Sequence, residues 1–177
     1  MDPKDKGIMD EQPRNPKETI FAHGGLRDTI MNGSFITIAV MIAYLAAFWI
    51  NGITDYNTIA HIKSLTDING QAILMQAQTM SFTALGFAEL IHMVCMSSVE
   101  HSAFKTLSNK NWMMALAFVA GVGLQFFVVL TPGVQEVFKT SSLSWKEWLI
   151  TAGAAFVPLI AHEIEVLIKH IHRKLAK

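Results

Sequence analysis

Four apolar runs, separated by short polar connections, dominate this chain. The first, about residues 30–50, reads IMNGSFITIAVMIAYLAAFWI and carries no charge. The second, about 75–96, holds a single acid, Glu89. The third, about 112–130, is WMMALAFVAGVGLQFFVVL, and the fourth, about 148–168, is interrupted by Pro158 and turns polar at His162 and Glu163. Each run approaches the roughly 20 residues a helix needs to cross a bilayer. Backbone groups in lipid must be satisfied within their own segment, so the pattern predicts an all-α membrane protein with four transmembrane helices. Trp49, Trp112, Trp145 and Trp148 lie near the ends of these runs, where interfacial aromatics are expected.

Small residues mark the faces on which these helices pack. Ala39, Ala43 and Ala47 repeat every four residues in the first run, and Ala117 and Gly121 do so in the third. Such faces let backbones approach closely in lipid. The spacing leaves open whether the partner helices belong to this chain.

Composition strengthens the membrane reading. Half of the chain is hydrophobic (51%) and only 16% is charged, against about 25% in soluble domains. The formal net charge is zero, which gives no electrostatic footprint for nucleic acid. A single cysteine, Cys95, excludes an internal disulfide and a thiolate metal cage, and reads as a small apolar helix residue. The ten methionines, spread over several segments, read as apolar filler. Basic residues set the orientation. With both termini in the cytoplasm, eleven of the fourteen Lys and Arg residues fall inside and three outside, the bias expected of a multi-pass protein of the cell membrane. Residues 1–29 then form a cytosolic segment and 30–177 the four-helix membrane domain. The charges of the opening stretch alternate in sign and no short apolar core follows, so it does not read as a signal peptide.

The polar residues inside the runs are the chemical candidates. Glu89 stands in TALGFAELIHMVCM, where an ionisable group is costly unless neutralised, paired or coordinating. Two readings follow: a carboxylate lining a cation or proton site, or a protonated acid bonded to a neighbouring helix. His92, three residues on, faces nearly the same side and could modulate Glu89 or serve as a structural polar contact. Gln125 reads as a helix–helix hydrogen bond. His162, Glu163 and Glu165, followed by Lys169, His170 and His172, read as an amphipathic interfacial end. No glycine-rich phosphate loop, serine elbow or HExxH motif is present, and no catalytic or cofactor-binding residue is expected.

Several stretches together resemble the C-terminal region of P-type cation-transporting ATPases. GIMDEQPRNPKETIF is similar to the family's cytosolic loop after the sixth membrane helix, with its "IMxxPPRxPKE" pattern, although Gln12 stands where the first proline is usual. QAQTMSFTALGFAELIH resembles the eighth helix, LSNKNWMMALAF the entry to the ninth, and VVLTPGVQEVFKTSSLSWKEWLI the loop into the tenth. The likeness runs in order from about Gly7 to Lys174 and points to the calcium-pump-like type II branch in bacterial form. It implies that Glu89 is a ligand of the transported cation, with calcium favoured. It also implies that Pro13, Arg14, Pro16 and Lys17, with Asp10 and Glu11 nearby, contact the phosphorylation domain. Two prolines would stiffen that loop and display its charges. No DKTGT phosphorylation motif occurs, and the family parts that bind ATP and magnesium have no counterpart here. The resemblance therefore implies the last four of ten helices, inactive alone and partnered by lipid and by the first six helices and cytosolic domains of a pump. The alternative is a stand-alone four-helix regulatory or assembly subunit, or a small channel.

Overall fold

The computed structural model describes Thr19 and residues 25–62, 68–96 and 112–175. Among the described residues all regular structure is helical: α1 (Gly25–Ile50), α2 (Tyr56–Ala60), α3 (Ile68–Met96), α4 (Trp112–Leu130), α5 (Pro132–Phe138), α6 (Trp145–Ala155) and α7 (Val157–Leu175). Four spans are long and apolar enough to cross a membrane: α1, most of α3 (Asn69–Met96), α4, and α6 continued by α7 (Trp145–Ile168). The chain is a multi-pass membrane protein.

Local chemistry explains the boundaries. The third run becomes α4 with the expected ends, because its apolar residues stop sharply at Thr131-Pro132. Helices α1 and α3 begin five and seven residues earlier than their apolar runs, since polar helix formers such as Gln71 continue a helix that hydropathy alone cuts short. The first span closes at Asn51-Gly52. Gly52 takes a φ of +77°, its amide donates to the Trp49 carbonyl at 3.1 Å, and Asn51 Nδ2 donates to the Ala47 carbonyl at 2.7 Å. Together these satisfy carbonyls that a helix end leaves open. The fourth span is two helices rather than one. Pro158 offers no amide to the Ala154 carbonyl, and the turn tightens at Phe156, whose amide donates to Gly153 at 3.2 Å.

Helix α3 lies at the centre, packed against α1, α4, α6 and α7. The alanine stripe of α1 meets it as expected: Ala39, Ala43 and Ala47 are fully buried, as are Ala77, Ala84 and Ala88 of α3. Ala117 does not follow suit. It is exposed, and α4 instead turns Met114, Phe118, Gly121 and Gln125 inward. In lipid this close backbone approach and its dispersion contacts, rather than water exclusion, hold helices together. The outward residues, among them Leu116, Val119, Leu124 and Phe127, are apolar and suit hydrocarbon.

Candidate cation site and the polar end of the bundle

The packing of α3 decides where Glu89 points. The faces of α3 that meet its neighbours carry Ala77, Met80, Thr83, Ala84 and Ala88, all fully buried. The remaining stripe, Met75, Gln78, Phe82, Leu85, Glu89, Met93 and Met96, is exposed. Glu89 thus lies on the outer face of the four-span group, seven residues from the end of its span, or about 10 Å along the axis. Among the described residues no three His, Cys, Asp or Glu side chains converge as a metal-sized set. Calcium takes about six to eight oxygen ligands, so Glu89 could provide one coordinating group and not a closed site.

His92 sits half-buried at the edge of that stripe, within electrostatic reach of Glu89 and of His162 on α7. His162 is buried, with 7% of its surface exposed, so it is not part of a solvated interfacial end. The reason is register: Pro158 and His162, four residues apart, both turn toward the bundle. The same end holds Cys95, buried and within reach of Glu163, and Asn32, whose Nδ2 lies 3.9 Å from Met96 Sδ. Gln125 takes the role the sequence suggests, its Nε2 donating to the Phe82 carbonyl at 3.5 Å. Gly86 makes that approach possible, because a Cβ there would stand 2.6 Å from Gln125 Oε1. Residues Pro13, Arg14, Pro16 and Lys17, with Asp10 and Glu11, lie outside the described residues.

The opposite end carries a polar network that apolar patterning does not reveal. Asn51 Nδ2 donates to Gln76 Oε1 at 2.9 Å, and Gln76 Nε2 donates to Glu147 Oε1 at 2.6 Å. The Ser144 amide donates to Glu147 Oε2 at 2.8 Å. One buried carboxylate therefore ties the ends of α1, α3 and α6 while completing the start of α6. Its signal in the sequence is Ser144-x-x-Glu147, a capping-box spacing ahead of an apolar run. Beside it, the Ser141 amide donates to Thr79 Oγ1 at 2.9 Å, and Phe126 stacks on Trp148 with centroids 4.8 Å apart.

Comparison with known proteins bears on this arrangement. A family model described as "Cation transporting ATPase, C-terminus" matches residues 1–168. Calcium-transporting ATPase 1 of Bacillus cereus is 29% identical over 170 residues, covering 96% of this chain and 18% of that protein. The calcium-transporting ATPase of Bacillus subtilis is 25% identical, covering 89% of this chain and 16% of its own length. Human calcium-transporting ATPase type 2C member 1 is 24% identical over 100% of this chain and 17% of its own length. The chain spans less than a fifth of each of these relatives.

Proposed function

Because this chain belongs to the cation-transporting ATPase C-terminus family, we propose that it supplies the last four membrane helices of a P-type cation pump, with Glu89 as one ligand of the transported ion. The observation that carries the reading is the outward placement of Glu89. A carboxylate within a membrane span is expensive unless it has work to do, and this one faces away from the helices that pack α3. Helices from the remainder of a pump would bring the further oxygens. Calcium is the ion favoured, since a carboxylate is a hard oxygen donor suited to it and the relatives named above are calcium-transporting ATPases. His92, at the rim of the stripe, modulates the field at Glu89.

Both termini face the cytoplasm in this reading. The 10–17 stretch then meets the phosphorylation domain through Pro13, Arg14, Pro16 and Lys17, and ATP and magnesium bind parts of the pump outside these helices. Hydrolysis and transport require those parts.

Two measurements test the proposal. The purified 177-residue chain in proteoliposomes is expected to show no calcium-stimulated ATP hydrolysis; robust hydrolysis would overturn the requirement for other domains. Assembled with the remaining ATPase portion, the chain is expected to support calcium uptake, and Glu89→Gln to raise the calcium concentration for half-activation about tenfold or more. An unchanged calcium dependence would remove Glu89 from the transport site.

A further inference from the structure

Helix α7 continues past its membrane span. The span ends at Ile168, whereas the helix runs to Leu175. Along it Ile160, Ile164, Leu167, Ile168 and Ile171 are all about half exposed or more, with values from 47% to 58%. Their spacing of four, three, one and three residues puts them on one side of the helix. Pro158 and His162, by contrast, turn inward. The apolar stripe therefore faces away from the bundle and extends a turn beyond the hydrocarbon-length span.

Charge gathers where that stripe ends. Lys169, Arg173 and Lys174 fall within the last stretch of α7, and Lys174 is exposed. The start of α1 stands at the same end of the bundle. The contacts from Asn51 to Gln76 and from Asn32 to Met96 make α1 and α3 antiparallel. Gln76 and Glu147 place the start of α6 beside the start of α3. The α6–α7 span thus runs opposite to α1, and α7 packs against α1. The first turns of α1 expose Leu26 at 51%, Ile30 at 60% and, between them, Arg27. Asp28 beside them is only half exposed.

Apolar side chains that reach the headgroup level, with basic side chains at the same level, fit an anionic lipid surface: the stems and branched chains sit among acyl carbons while the cationic heads meet phosphate. We propose that the last two turns of α7, together with the first turn of α1, form a collar that binds anionic phospholipid headgroups and anchors this end of the bundle. The proposal rests on the membrane spans and on neither the ion nor the pump assignment. The opposite end offers no equivalent: its exposed basic residues, Lys139 and Lys146, adjoin the buried Gln76–Glu147 network instead of an extended apolar stripe.

The test is lipid retention by the full chain. The protein is reconstituted in nanodiscs of equal phosphatidylglycerol and phosphatidylcholine, and bound lipids are counted by native mass spectrometry after release. Wild type is expected to retain phosphatidylglycerol over phosphatidylcholine by about tenfold, given roughly fivefold for each basic residue near a charged surface. The variant Arg27→Gln, Lys169→Gln, Arg173→Gln, Lys174→Gln is expected to lose that preference with unchanged helicity by circular dichroism. The pair Lys139→Gln and Lys146→Gln is expected to keep it. Equal retention of both lipids by wild type, or an equal loss in the second variant, overturns the collar. Disulfide cross-linking between Ile171→Cys chains at the same rate in neutral and anionic nanodiscs would assign the stripe to a second copy and overturn it as well.

Discussion

Gln76 and Glu147, 71 positions apart, meet in a 2.6 Å hydrogen bond that fastens α3 to the start of α6. Glu147 is 7% exposed, and its second oxygen accepts from the Ser144 amide. Glu147→Ala would strand the Gln76 amide and the Ser144 N–H in a region from which water is excluded. A loss of about 1–3 kcal/mol is expected, read as a lowered midpoint for thermal unfolding in detergent. Glu147→Gln keeps an acceptor for one of the two donors and should lose less. Equal losses for the two variants would show that the contacts, rather than the packing, contribute nothing.

Gly86 and Gln125 are matched by shape. A methyl group at position 86 would lie 2.6 Å from Gln125 Oε1 and 2.9 Å from its Cδ, so Gly86→Ala must displace the buried amide. A cost of about 1–3 kcal/mol follows from overpacking. Gln125→Ala in the same chain removes the clashing group, and the double variant should be more stable than the sum of the single losses implies. Strict additivity in that cycle would count against the contact.

How much of this was legible beforehand follows from which residues carry contrast. The four spans could be read because the apolar runs are long and the connections polar, and the Ala39, Ala43, Ala47 stripe because a fourfold repeat of the smallest side chains has a geometric meaning in a helix. The same argument failed for Ala117. Helix α4 is apolar on every side, so a pair of small residues does not say which side faces protein. For the same reason the direction of Glu89 could not be inferred from periodicity, since both the lipid-facing and the packed sides of α3 are apolar. Helix α5 was missed because its seven residues lie in what reads as a connecting loop, with Pro132 as its main mark. Glu147 was passed over because it lies at the edge of an apolar run, where charge is ordinary.

Asp55 gives a pH dependence outside the spans. Its Oδ2 accepts from the Thr58 amide at 2.9 Å and from the Thr58 hydroxyl at 3.0 Å, and these bonds, the backbone one foremost, hold its pKa below the ordinary 3.8. A depressed carboxylate pKa adds stability that is fully present above the unfolded value and lost as pH falls through the folded value. Hydrogen exchange at the Thr58 amide is therefore expected to lose protection below about pH 4, after correction for intrinsic rates. Asp55→Ala should abolish that pH step while leaving the transmembrane amides unchanged. A step that persists in the variant would assign it to another group.

Thr83 and Thr151 test the core from the other direction. Both hydroxyls are fully buried and have no hydrogen-bond partner, unlike Thr79 and Ser81, which donate to the carbonyls four residues back at 2.8 Å. Valine matches the shape of threonine and removes the desolvated hydroxyl. Thr83→Val and Thr151→Val should each leave stability unchanged or raise it by about 1 kcal/mol. A loss of more than about 1 kcal/mol in either would reveal a polar contact, such as an internal water, that these hydroxyls serve.

Glu89 separates the two readings that its position in the sequence leaves open. If it were an acid bonded within the four-span group, removing it would leave a buried partner unsatisfied, at about 1–3 kcal/mol. Its side chain instead lies on the exposed stripe with Gln78 and Phe82, and Ala88, its neighbour, is the residue that packs. Glu89→Leu in the isolated chain should therefore not destabilise, and should favour membrane insertion by roughly 3 kcal/mol, the scale for an acid within a span. Unfolding in detergent measures the first quantity and a glycosylation-mapped insertion assay of the α3 segment the second. In the assembled pump the same substitution is expected to abolish cation uptake, because leucine offers no oxygen. A variant that is unstable alone but still transports would mean that Glu89 serves the fold and not the ion.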